Sequence, residues 1–356
     1  MALPTVDPKK SARQAGLHYV SDTAPGIERR PQGQGFTYLD AEGDRIQADS
    51  GRDRIVALAI PPSWTEVWIC ADPQGHLQAT GRDAKGRKQY RYHPEWRKIR
   101  SQAKFERLLP FGAVLPNLRS QVDAHMQESQ LSRQKVLATI VKLLETTLIR
   151  IGNAEYAQEN KSFGLTTLRD RHVKFVGKSL QFQFRGKSGV EHEIELNDPQ
   201  LAKIVKRCRD IPGYELFQYF DQFGDRRVVE SGDVNEYLQQ ATGQDFTAKE
   251  FRTWAGTVLA AQELVKLGPF ESKKQAQHNV VQAIKAVAKQ LGNRAATCRK
   301  YYVHPGILSA YSEDWLIPMV KEALEAKAPE DSGYLRPPEK AVLKILNRLD
   351  SPYISG

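Results

Sequence analysis

At 356 residues, with 52 Lys plus Arg against 42 Asp plus Glu and a formal charge of +10, the chain can bury two medium-sized cores without disulfide or metal support, and its charge suits a polyanionic partner. Cys70, Cys208 and Cys298 are odd in number and lack C-x-x-C spacing, which excludes a disulfide framework or zinc module and points to a reducing compartment. An apolar 18-mer is absent, as is a secretory stretch in the first 30 residues, so a soluble, cytoplasmic protein without a membrane partner is expected.

In chain order, FTYLDAEGDRI (36–46) predicts two short strands around an Ala-Glu-Gly-Asp turn, and VWICADPQGHLQA (67–79) repeats the pattern around Asp-Pro-Gln-Gly. The run GRDAKGRKQYRYHPEWRK (81–98) then packs Arg82, Lys85, Arg87, Lys88, Arg91, Arg97 and Lys98 among Tyr90, Tyr92 and Trp96, with only two acids between. Cations neutralise phosphates, while aromatic rings and amides such as Gln89 reach sugars and bases; a solvated strand and loop is the plain alternative.

Beyond Phe111-Gly112 the texture turns helical, which places a boundary near residue 105. The fold expected is α+β: a small β-rich N-terminal lobe (1–105) and a larger, mainly helical lobe (106–356) carrying one hairpin. A helix is predicted from Ser132 to about Arg150, with Val136, Ile140, Leu143 and Thr147 on one face and Arg150 extending that stripe. An arginine aimed at a core needs an anion, either an internal carboxylate or a ligand phosphate. Leu180, Phe182 and Phe184 alternate with polar residues up to GKSG, and Val190, His192, Ile194 and Leu196 resume the alternation, so Lys187 sits at a hairpin tip.

TAKE (247–250) is a capping box opening a helix that ends at Gly268, with Arg252 in its first turns. A second amphipathic helix covers roughly 272–291 and closes at Gly292. After CRKYYVHPG (298–306), SGYLRPPE (332–339) reads as a turn or linker and KAVLKILNRL as a terminal helix. The eight histidines offer no H-E-x-x-H and no pair at helical metal spacing.

Tyrosine is protonated at neutral pH and becomes a nucleophile only where cations stabilise its phenolate or a base takes its proton. Two arginines on a phosphodiester, a lysine to protonate the leaving alkoxide and one tyrosine are sufficient for metal-free transesterification of DNA. Residues 60–93 (IPPSWTEVWICADPQGHLQATGRDAKGRKQYRYH), IRIGNAEYAQENKSFGLTTLRDRHV (149–173), FQFRGKSG (182–189), KEFRTWAG (249–256) and LGNRAATCRKYYVHP (291–305) together resemble the type IB DNA topoisomerases, specifically the compact poxvirus-like and bacterial branch.

That resemblance implies a tyrosine recombinase/topoisomerase IB-like catalytic fold, a C-shaped clamp around duplex DNA, a 3′-phosphotyrosyl intermediate, strand rotation and religation. It also implies a monomer that uses no cofactor: no ATP, and no required divalent metal, though one can stimulate. Matched residue by residue, Arg150 and Arg252 correspond to the catalytic arginines that grip the scissile phosphate. Lys187 fits the hairpin lysine better than Lys178, because the family places it one full strand after the L-R-x-x-H segment. Asn293 takes the polar position nine residues before the nucleophile, which names Tyr302 rather than Tyr301. Poxvirus enzymes have histidine where Asn293 stands, so only hydrogen bonding is expected of it, and Ser188 replaces a frequent Asp after the lysine. Arg87, Lys88, Gln89, Tyr90 and Tyr92 are the expected DNA contacts of the first lobe; Tyr156 and Lys161 border the loop of the first arginine. A tyrosine recombinase shares the catalytic set but carries a helical N-terminal domain, and a non-catalytic DNA-binding protein of this fold is the third reading.

Overall fold

The computed structural model describes residues 8–33, 35–46, 50–84, 86–325 and 335–350. Two compact units divide the chain between Phe105 and Glu106. The first holds α1 (Pro8–Gln14), β1 (Ile27–Gln32), β2 (Gly35–Leu39), α2 (Ser50–Ala57), β3 (Thr65–Ile69), β4 (Leu77–Arg82), β5 (Lys88–Tyr92) and α3 (Pro94–Glu106). Its antiparallel sheet runs β2-β1-β3-β4-β5 around Ile27, Ile55, Val67, Ile69 and Ala79.

Three readings of this unit need correction. In 36–46 only the first segment is a strand; the second contributes a single bridge, Leu39 to Arg45. The strand that pairs with β2 is β1, whose IERRPQ shows no apolar alternation because its inward Arg29 acts as a packing residue: it stacks on Phe36 at 4.1 Å and donates to the Pro61 and Trp64 carbonyls at 3.1 and 2.6 Å. Trp96 packs with Ala12 and Leu17 in a small core, 7% exposed, and so is no DNA-facing ring. The lobe is also less purely β than expected, since three helices accompany the sheet. Lys85 lies outside the described residues.

The second unit holds α4 (Leu108–Met126), α5 (Arg133–Thr147), α6 (Ala154–Asn160), β6 (Val173–Val176), β7 (Ser179–Arg185), β8 (Glu191–Asn197), α7 (Pro199–Arg209), β9 (Gln218–Phe220) and β10 (Arg226–Val228). Then follow α8 (Ser231–Thr242), α9 (Ala248–Leu267), α10 (Lys273–Gln290), α11 (Ala295–Tyr301), α12 (Pro305–Ser312), α13 (Leu316–Glu325) and α14 (Pro337–Asp350). Phe111 of α4 meets Phe246, Phe251 and Trp254 edge-on at 5.2 to 6.3 Å. Gly112 lets α4 approach α9, for a Cβ there would stand 2.5 Å from the Trp254 ring. Of SGYLRPPE, 332–334 lie outside the described residues, and Pro337-Pro338-Glu339 already belongs to α14.

A buried ion cluster ties α14 to this core. Arg119 of α4 donates to both Glu339 oxygens at 2.7 and 2.8 Å and to Glu145 at 2.9 Å, while Trp254 Nε1 donates to Glu339 at 3.2 Å. Burial raises the Glu339 pKa, and Arg119 more than reverses the effect, leaving it below the usual carboxylate value.

Candidate functional site

The stripe that carried Arg150 onto α5 does not reach it. The helix ends at Thr147, where the hydroxyls of Thr146 and Thr147 donate back to the Lys142 and Leu143 carbonyls and Leu148 turns left-handed at φ 56°. Arg150 therefore stands in the loop beyond the helix, held by a neighbouring loop: Leu165 N–H donates to the Arg150 carbonyl at 2.8 Å and Thr166 N–H to that of Ile151 at 2.7 Å. Two glycines make this approach possible. A Cβ on Gly164 would stand 2.5 Å from the Arg150 carbonyl oxygen, and Gly152 adopts φ 103°.

Arg252 enters from the first turns of α9, whose capping box is formed as expected by Thr247 and Glu250. Its side chain is 5% exposed and joins two helix ends, donating to the Leu148 carbonyl after α5 and, at 2.6 Å, to the Leu291 carbonyl after α10. Carbonyls at helix C-termini carry the negative end of the helix dipole and suit a cation there. The guanidinium has five N–H donors, and its buried Nε has no hydrogen-bond partner among the described residues. Burial, with the Arg150 charge beside it, lowers its pKa to about 10.

Asn293 follows the turn at Gly292, φ 58°, and its Oδ1 accepts from Arg150 Nη2 at 2.5 Å. Tyr302 lies at the end of α11, its N–H donating to the Cys298 carbonyl at 2.9 Å. The Thr257 hydroxyl accepts the His304 N–H at 3.1 Å and lies 3.3 Å from the Tyr302 carbonyl oxygen. The Arg252 guanidinium carbon is 5.2 Å from the centre of the Tyr302 ring. Burial pushes the Tyr302 pKa up, but the charges and hydrogen bonds of Arg252 and Arg150 outweigh it and hold the phenol below its ordinary value of 10. Tyr301, one residue earlier, is 45% exposed and beside Lys300.

Arg150, Arg252, Asn293 and Tyr302 thus gather from four separate segments. Lys187 lies on the exposed turn joining β7 to β8, where Gly186 N–H donates to the Val190 carbonyl at 2.7 Å; it has no hydrogen bond to the other four. Lys178 occupies the other GK turn, which joins β6, a strand that alternation had not revealed, to β7. Tyr156 sits in α6, capped by Asn153, and Lys161 closes that helix in the left-handed region at φ 49°.

A residue that sequence reasoning treated only as part of a strand pattern also belongs here. His192 stacks on Phe184 at 5.0 Å with an interplanar angle of 12°, and burial followed by the charges of Arg150 and Arg252 keeps its pKa low. Its one signal in the sequence was a histidine on the apolar side of β8.

In the first unit several groups of the basic run are already engaged by carboxylates. Arg87 meets Asp83 at 2.6 Å, Lys88 meets Asp22 at 2.5 Å, and Gln89 donates to Asp83 at 3.0 Å. Strand alternation puts Lys88, Tyr90 and Tyr92 on one face of β5 and Gln89 on the other. Tyr90 and Tyr92 lie parallel, 5.9 Å apart, with Tyr90 47% exposed.

The family described as eukaryotic DNA topoisomerase I, catalytic core, matches residues 93–325, and bacterial DNA topoisomerase IB, N-terminal domain, matches residues 35–83. The chain is 31% identical to the DNA topoisomerase 1B of Acanthamoeba polyphaga mimivirus over 81% of its own length and 88% of that protein. Against the DNA topoisomerase 1B of Vaccinia virus (strain Copenhagen) it is 27% identical over 42% of this chain and 48% of the viral one. A DNA topoisomerase 1 of Mycosarcoma maydis is 22% identical over 44% of this chain and 17% of its own.

Proposed function

The chain belongs to the type IB DNA topoisomerases, isomerases of DNA topology, and from that premise we propose that Tyr302 is its nucleophile, with Arg150, Arg252, Asn293 and Lys187 as the other catalytic groups. The observation that carries this reading is the convergence of two guanidinium groups on the Tyr302 hydroxyl, which depresses its pKa despite burial.

The reaction follows from that geometry. The phenol gives its proton to water, and its oxygen bonds to the phosphorus while the bond from phosphorus to the 5′-oxygen breaks. Arg150 and Arg252 donate to the non-bridging oxygens as negative charge gathers there. Lys187 protonates the departing 5′-oxygen, and religation runs the same steps backwards. The Asn293 amide oxygen orients Arg150, leaving an N–H for a phosphate oxygen. Every charge the transfer needs resides on these side chains, so neither ATP nor a divalent ion is required.

Around this site we place the recombinase-like catalytic fold of the helical unit, with the first unit completing a C-shaped clamp on duplex DNA and a single chain sufficient for activity. The net charge of +10 supports the DNA partner, and the exposed tyrosine of β5 supports contact from the first unit. Within the basic run, Arg87 and Lys88 reach phosphate by exchanging Asp83 and Asp22 for it; Gln89, Tyr90 and Tyr92 contact grooves and sugars, and Tyr156 and Lys161 do so beside Arg150. We place the enzyme with DNA in the cytoplasm; among the described residues no helix is long and apolar enough to cross a membrane.

The decisive experiment traps the covalent DNA adduct and sequences the attached peptide. Attachment at Tyr302, with plasmid relaxation in EDTA and without ATP, is the expected result; attachment elsewhere refutes the assignment.

A further inference from the structure

His192 is squeezed between two turns that carry different parts of the site. A Cβ on Gly186 would stand 2.6 Å from the imidazole Cδ2 and Nε2, and a Cβ on Gly292 would stand 2.8 Å from Cε1. Gly186 immediately precedes Lys187, and Gly292 immediately precedes Asn293. Phe184, opposite His192 in the β7–β8 register, backs the ring. Two backbones pressed against one flat ring, with a second ring behind it, form a close-packed stack in which a displaced ring moves both turns.

We propose that His192 is a positioning residue whose imidazole sets the Lys187 turn at a fixed distance from the Asn293 turn. The charged groups that act on it are Arg150 and Arg252, which oppose protonation, and Glu191, which favours it. With burial the first two prevail, and a neutral ring suits a spacer beside cations that must face a phosphate. Lys187 itself is exposed and has no hydrogen-bond partner among the described residues, so its placement depends on the turn beneath it. This inference rests on the catalytic reading of Lys187.

Single-turnover cleavage of a duplex with an ordinary 5′-oxygen leaving group, compared with one bearing a 5′-bridging sulfur, tests it. Sulfur leaves without a proton, so a defect confined to Lys187 delivery disappears on that substrate. His192→Ala is expected to slow oxygen cleavage by about 10- to 100-fold, the range for misplaced groups, and to be restored by sulfur while DNA binding is retained. Gly186→Ala provides a second variant: φ at Gly186 is −95°, open to any residue, so its methyl acts only by pushing the ring. It should reproduce the defect, and His192→Ala in the same chain should absorb the methyl, so that the double variant is no slower than His192→Ala alone. Equal slowing on both substrates, no slowing, or a double variant that multiplies the two defects overturns the proposal. If Lys187→Ala itself is not restored by sulfur, the general-acid assignment fails instead.

Discussion

Tyr302 crosses α9 directly over Gly256: a Cβ at that glycine would stand 2.5 Å from the Tyr302 carbonyl oxygen. Gly256 lies one helical turn after Arg252, so a single face of α9 supplies both a cation and the bare backbone on which the tyrosine's main chain rests. Gly256→Ala must lift Tyr302 away from the guanidinium groups. Cleavage should fall by roughly 100-fold and stability by about 1–3 kcal/mol. Single-turnover cleavage of gel-shifted complexes, alongside urea denaturation, separates the two effects.

The two neighbouring tyrosines make opposite predictions. Tyr302→Phe should remove plasmid relaxation and leave duplex binding within about twofold, since one hydroxyl contributes little to a phosphate-dominated interface. Tyr301→Phe should stay active; a dead Tyr301→Phe with an active Tyr302→Phe would overturn the register.

Lys187→Ala should slow cleavage by about 10²- to 10⁴-fold, the usual contribution of a general acid, with recovery on a 5′-bridging sulfur substrate. Lys178→Ala, altered at the other hairpin turn, should cleave both substrates normally. Recovery seen with Lys178→Ala instead would move the acid to that turn.

Acid should destabilise the helical unit through two histidines. His172 Nδ1 accepts the Arg169 N–H and His304 Nδ1 the Gly306 N–H, each at 3.0 Å, and a proton would turn either acceptor into a donor. Burial lowers both to about 4 from 6.5, Arg171 and Arg169 adding to the effect at His172. Because the folded pKa is the lower one, the unfolded chain binds more protons between these values. Stability is therefore full above pH 6.5 and falls as pH drops towards 4, by on the order of 2–3 kcal/mol per histidine. His304→Asn keeps an N-cap acceptor without titrating and should flatten that slope in denaturation curves taken from pH 7 to 4.5.

Glu339→Ala strips Arg119 of its bidentate partner while leaving Glu145, and removes the acceptor of Trp254 Nε1. A buried charge losing its partner costs about 3 kcal/mol, visible as a lower urea midpoint. Loss below 1 kcal/mol would mean that Glu145 alone satisfies the guanidinium.

What the sequence disclosed depended on whether local pattern or distant contact fixed each residue. Alternation on either side of GKSG located the Lys187 turn, and the Thr247–Glu250 capping box located the start of the Arg252 helix, because both signals lie within a few residues. Arg150 was misplaced because its spacing continues the α5 stripe, while Leu148 in a left-handed turn and the Gly164 loop actually decide where it lies. The IERRPQ strand was invisible since Arg29 packs there as a stacked cation, and Trp96 passed for a nucleic-acid contact because its core partners, Ala12 and Leu17, come from a distant helix and loop. His192 gave only the signal of a histidine on the apolar side of a strand, for its neighbours Gly186 and Gly292 are brought to it only by tertiary structure.

The Arg252 guanidinium holds the carbonyls that end α5 and α10, two helices separated by more than a hundred residues of chain. The same group lowers the pKa of the tyrosine. A nascent or partly unfolded chain therefore contains a tyrosine but not an armed one: until three distant segments have docked, the phenol keeps its ordinary basicity. On the proposal that Tyr302 is the nucleophile, completed folding is itself the step that activates it.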